Sequence, residues 1–249
     1  MFPRSPSFLA LALFGGMLLS QHADAGIVLS GTRLVFDGTK REASTNARNT
    51  SDVPYVVQAW VEAQDGSTDT PFFVTPALSR IDGEREGLLR VLRVNDTLPE
   101  DRESMYWLNV KEIPKIDKRD NVLQIAVRTR IKIFYRPAGL KNAPRGAAML
   151  DWKIVRNAKI GKCALAVKNN SAYYVTLSDI AVGYGSNAPE KLKISAIAPL
   201  SGQDWSLPSC AQSIQLSYSV VNDFGATEEI PPIQVNLTSN EQSESSASH

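Results

Sequence analysis

An all-β fold of two sandwiches is predicted by three features of the sequence. Short runs rich in β-branched and aromatic residues recur along the chain with turn residues between them. No stretch sustains the 3.6-residue apolar period of a helix. Pro and Gly crowd residues 137–146 (PAGLKNAPRG) and divide the strands into two sets, as a linker or bend does.

The amino terminus comes before either set. Arg4 precedes the apolar run FLALALF (8–14), and Ala23-Asp24-Ala25 offers small residues for cleavage, so residues 1–25 read as a secretory signal peptide cut after Ala25. A membrane anchor fits less well, because Gly15-Gly16 interrupts a run already short of the ~20 residues a span needs. Removal leaves enough chain for two domains of ~110 residues each. Cleavage takes away Arg4 and Asp24 together, so the net charge stays at +1 and gives bulk electrostatics no grip on nucleic acid.

The first set begins with residues 27–36 (IVLSGTRLVF), read as one strand ending at the turn Asp37-Gly38. Strands are expected at 54–62 (PYVVQAWVE), 71–76, 87–94 and 105–110 (MYWLNV). After Pro114 and a charged turn comes the stretch 122–137, VLQIAVRTRIKIFYRP. Leu123, Ile125, Val127, Ile131 and Ile133 fall on alternate positions, interrupted at Thr129, with Gln124, Arg128, Arg130 and Lys132 on the other face, the period of a strand with one apolar and one polar face. From Leu123 to Tyr135 it is more than twice the usual ~5–6 residues of a strand. Either the whole length is buried in one sandwich, or one end belongs to this core and the other is offered to a partner.

The second set comprises 162–169, 173–177, 191–197, 214–221 and 233–237. The boundaries expected are 26–140 for the first domain and 145–238 for the second, with a polar tail at 239–249 too poor in apolar residues to order. Cys163 and Cys210 are the two cysteines, and an exported chain with an even count favours one disulfide over two buried thiols.

Composition also limits the chemistry. The two histidines are His22, in the signal, and His249, the last residue, so the folded part has none for a Ser-His-Asp arrangement, a Cys-His pair or a zinc site. A histidine-free hydrolase built on paired carboxylates, with Glu103 and Asp223 its nominees, ranks last. No enzyme activity, metal or cofactor is expected.

Five motifs in order resemble one family: PYVVQAW (54–60), LPEDRESMYWLNVKEIP (98–114), RIKIFYRP (130–137), YYVTLSD (173–179) and VNDFGA (221–226). The chain is similar to the periplasmic chaperones that assemble pilus and fimbrial subunits by the chaperone–usher route. The resemblance implies two immunoglobulin-like β-sandwiches joined at an angle, working in the periplasm. It implies that Leu123, Ile125 and Val127 form a donor strand completing a subunit's unfinished sandwich, while Ile131 and Ile133 stay in the first domain's core. Arg33 and Lys132 match the pair that anchors the subunit's terminal carboxylate. Glu103, Arg136 and Asp223 match an interdomain ion network, and the Cys163–Cys210 pairing is compatible with the family. The short segment 113–121 matches the class serving rod-like pili. The partners implied are pilus subunits and an outer-membrane usher, without membrane insertion, and a free apolar edge invites self-association. A secreted two-domain immunoglobulin-like adhesion module is the alternative, and it predicts no Arg33–Lys132 pair in one cleft.

Overall fold

A computed structural model describes residues 26–95, 97–113, 125–156, 161–185 and 188–238. The signal peptide, Leu123, residues 114–121 of the short loop and the polar tail lie outside the described residues. No helix among the described residues is long and apolar enough to cross a membrane.

Among the described residues the first domain holds nine strands: β1 (Ile27–Leu29), β2 (Arg33–Asp37), β3 (Glu42–Asn49), β4 (Tyr55–Glu62), β5 (Phe72–Thr75), β6 (Leu78–Ile81), β7 (Glu86–Arg93), β8 (Ser104–Ile113) and β9 (Arg128–Arg136). They form two sheets, ordered β1-β3-β7-β5 and β2-β9-β8-β4-β6. The second domain holds β10 (Leu150–Arg156), β11 (Cys163–Asn169), β12 (Val175–Gly183), β13 (Glu190–Lys191), β14 (Ala196–Ile197), β15 (Gly202–Ser206), β16 (Ser213–Val221) and β17 (Thr227–Asn236). Its sheets are β10-β11-β15 and β13-β12-β16-β17, with β14 on the flank of β12.

Each domain has its own core, as alternating inward residues require. Phe36, Leu89, Leu108 and Ile133 lie in the first and Ile154, Leu165, Ile180 and Leu216 in the second, all essentially removed from water. Each such side chain contributes ~1.5–3 kcal/mol relative to exposure. The two domains also repeat one buried polar device. Asn49 at the end of β3 donates from its amide to the carbonyls of Val53, Ile81 and Asp82 and accepts from Ser51. Asn169 at the end of β11 does the same with Tyr173, Ile197, Ala198 and Ser171. In each sandwich one buried amide side chain thus satisfies several main-chain carbonyls at once.

The long strand is shorter than its period of two predicts. β9 begins at Arg128, and Ile125 to Val127 precede it outside any strand. The Glu112 amide still donates to the Val127 carbonyl, but β8 ends at Ile113 and leaves the residues before Val127 without a ladder partner among the described residues. The run 27–36 also divides, because β1 pairs with β3 in one sheet and β2 with β9 in the other. Ser30 to Thr32 make the crossing between sheets, where Gly31 eases the bend. The expected strand 191–197 is reduced to the two-residue pieces β13 and β14. Cys163 and Cys210 form a disulfide in the second domain.

Candidate functional site

The even-numbered residues of β9 build one wall of the cleft between the domains, because alternate side chains of a strand share a face. At the deep end Arg136 binds Asp223 of the second domain and Phe134 packs on Tyr174, with ring centroids 5.7 Å apart. Lys132, Arg130 and Arg128 continue along the same face toward the open end of the cleft.

β2 lies parallel to β9, and its first residue, Arg33, stands opposite Lys132. The sequence leaves open whether these two cations converge; the register brings them together. The Arg33 Nη1 donates to the Val221 carbonyl at 3.0 Å, and its guanidinium lies 5.8 Å from the Phe134 ring centroid. Burial pulls the Lys132 ammonium below the ordinary lysine pKa, and the charge of Arg33 pulls it further. Burial likewise lowers Arg33, against the pull of Asp223 and Glu103. Neither cation forms a direct ion pair among the described residues: Arg33 feels Asp223 and Glu103 at a distance, and Lys132 has only burial and Arg33 acting on it. Both are half-buried, and Arg33 is tethered across the domain interface. The polar face that the sequence predicts for this strand is thus partly enclosed where the two domains meet.

Beyond Lys132 one edge of β9 is open. β2 pairs with β9 from Lys132 onward, so Arg128 to Ile131 have no strand on that side among the described residues. Ile125 and Val127, just before them, are 70% and 46% exposed, whereas Ile133 is fully buried. Leu123, the third of the expected donor residues, is outside the described residues.

The second charged set also assembles. Arg136 donates to Glu103 Oε1 at 2.9 Å and, through both terminal nitrogens, to Asp223 at 2.9 and 3.0 Å. Glu103 is almost fully buried, and its other oxygen accepts the Tyr174 amide at 2.9 Å. Burial raises the Glu103 pKa despite Arg136. The bonds from Arg136 hold Asp223 below the ordinary carboxylate range. Burial disfavours the Arg136 cation, but Asp223 and Glu103 more than offset it and the net shift is upward.

Sequence reasoning misses a fourth member. Arg145, from the linker, donates to Asp223 at 2.6 Å, and Arg136 and Arg145 stand 4.9 and 5.8 Å from the Tyr173 ring centroid. It also misses Val221, whose carbonyl orients Arg33. Neither carries a local signal: one is a charge in a loop, the other a main-chain atom brought close by the domain arrangement.

The family model described as "Pili and flagellar-assembly chaperone, PapD N-terminal domain" matches residues 26–141, and "Pili assembly chaperone PapD, C-terminal domain" matches 146–231. The probable fimbrial chaperone LpfB of Escherichia coli O157:H7 is 40% identical over 229 residues, covering 90% of this chain and 94% of that protein. The crystal structure of the YadV chaperone superposes with a TM-score of 0.72 at 33% identity, covering 85% of this chain and 100% of that one. The SafB chaperone solved in complex with the Salmonella enterica SafA pilin gives 0.69 at 26% identity, covering 85% and 96%. Matched in both halves and along most of its length, the chain belongs to the family of PapD-like pili-assembly chaperones.

Proposed function

We propose that the chain captures pilus subunits in the periplasm by lending them the strand that runs through Ile125 and Val127, and passes them to an outer-membrane usher. One observation carries the reading. Arg33 and Lys132, without a carboxylate of their own among the described residues, stand where the open edge of β9 meets the end of β2. A subunit's terminal carboxylate fits that corner, and charge-assisted hydrogen bonds there are worth ~1.5–3 kcal/mol each. With its carboxylate at Lys132 and its body along Arg128 to Ile131, the bound segment must run parallel to β9. On the odd-numbered face Ile125 and Val127 are exposed aliphatic anchors for an apolar groove. Main-chain pairing supplies register without demanding one partner sequence.

The competing adhesion module gives no reason for two cations without a direct ion pair at the end of an open edge. The test is periplasmic co-expression with candidate pilus subunits. Wild type should co-purify with a subunit, and Lys132→Glu should not, because it places a carboxylate against the ligand's own. Normal capture by Lys132→Glu would remove the anchor.

A further inference from the structure

We infer that Arg130 selects among subunits by charge, favouring those whose carboxyl-terminal strand presents acidic side chains to the cleft. The inference rests on the capture reading above and adds to it which partner chemistry the cleft wall accepts.

Three cations of β9 share this wall with two indoles. The Arg128 guanidinium lies 4.9 Å from the Trp60 ring centroid and that of Arg130 4.2 Å from Trp107, with the Lys132 ammonium 6.0 Å from the same ring. Arg128 is already engaged within the chain. It donates to both Glu62 oxygens at 2.8 and 2.7 Å and to Asn109 Oδ1 at 3.0 and 2.6 Å. Glu62 also accepts the Trp60 indole N–H at 2.8 Å. Arg130 is different. Its ion pair among the described residues is a 3.5 Å approach to the same Glu62 carboxylate, beyond good hydrogen-bond range. Stacking on Trp107 holds its guanidinium in place and leaves the fork of donors for a ligand. Arg128, Arg130 and Lys132 against Glu62 leave this stretch of wall net positive.

The occupant's geometry follows from the open edge. A strand added beside Arg128 to Ile131 lies ~4.8 Å away, and residues abreast of each other put their side chains on the same face. The residue abreast of Arg130 therefore points into the cleft, near the guanidinium. An Asp or Glu there takes the fork, whereas a Lys meets like charge. The groove-facing positions of the same strand answer to Ile125 and Val127, so apolar and acidic residues should alternate toward the subunit's carboxyl end.

Synthetic ten-residue peptides with free carboxyl ends test this. Valine fills alternate positions, Glu, Ser or Lys fills those between, and an amino-terminal polyethylene glycol keeps the peptides soluble. A fourth peptide repeats the Ser sequence with an amidated end. Dissociation constants come from calorimetry at low salt. Wild type should bind the Glu peptide at least about tenfold more tightly than the Lys peptide, a difference of ~1.4 kcal/mol. Arg130→Gln should bring the two within about twofold while leaving the Ser peptide unchanged, and Arg130→Lys should restore the order in reduced form. Equal affinities in wild type, or a preference that survives Arg130→Gln, overturn the inference. Carboxylate dependence without charge order overturns it alone. Amidation without effect overturns the anchor reading and with it the register used here, and failure of every peptide to bind overturns both.

Discussion

Arg33 and Lys132 stand abreast in the parallel register of β2 and β9, two like charges half withdrawn from water with the Val221 carbonyl holding one in place. Such a pair is poor design for stability and good design for an anion. The free protein bears the cost of keeping both charged, and a carboxylate bound there would relieve it.

Replacing Lys132 by Met should therefore separate function from stability. The lowered pKa of Lys132 means that the folded state holds its proton less tightly than the unfolded chain does. Its charge thus works against folding at neutral pH, and the penalty fades only as pH rises through the depressed value. Lys132→Met should melt at or above the wild-type temperature in calorimetry while losing subunit capture. A clear fall in melting temperature would mean that the ammonium supports the fold.

Arg136 is the opposite case. Removing it leaves Glu103 buried with the Tyr174 amide but without its cation. Breaking one partner from a buried pair costs about 3–5 kcal/mol. Urea unfolding of Arg136→Ala should show a loss of that order, and Arg136→Ala/Glu103→Gln should recover part of it. Equal stability of the single and double mutants would mean that Glu103 does not carry the penalty.

Acid should act through Asp223 and Glu103 with opposite sign. Asp223 has a lowered pKa, so its contribution is full above the ordinary Asp range and is lost as pH falls through the depressed value. Glu103 has a raised pKa, so protonating it favours the folded state, and that gain disappears as pH rises through the raised value. The steep loss of melting temperature should therefore begin in the Asp range or below. Asp223→Asn should flatten that limb, and an unchanged slope would assign it to other carboxylates.

How much of this was legible depends on whether a residue's partner is local. The alternation that marks β4, β8 and β16 comes from large apolar side chains on one face, and sequence reads it directly. β3 hides, because its inward positions are Ala43, Thr45, Ala47 and Asn49. Those small or polar residues take a strand from their neighbours β1 and β7, not from their own pattern. The family resemblance located Arg33, Lys132, Glu103, Arg136 and Asp223, but the corner that brings Arg33 to Lys132 depends on the chain changing sheets between Leu29 and Arg33. Arg145 and the Val221 carbonyl became visible only once the second domain was in place.

Two residues of one run test whether its ends serve different cores. Ile125 is 70% exposed and lies outside any strand, whereas Ile133 is fully buried between β2 and β8. A Glu at Ile133 places a carboxylate in the apolar cluster that holds Phe36, Leu108 and Tyr135. Burying such a charge costs several kcal/mol, a large part of a domain's ~5–15 kcal/mol margin. Ile133→Glu should unfold the first domain in thermal denaturation. Ile125→Glu should leave melting unchanged, because the side chain already faces water, and should raise solubility by removing an exposed apolar group. In the subunit complex the ranking reverses in kind, since the same Glu would have to enter an apolar groove and capture should fail. If Ile125→Glu destabilises the free protein as severely as Ile133→Glu, the run belongs to a single core and the lent strand is lost as a mechanism.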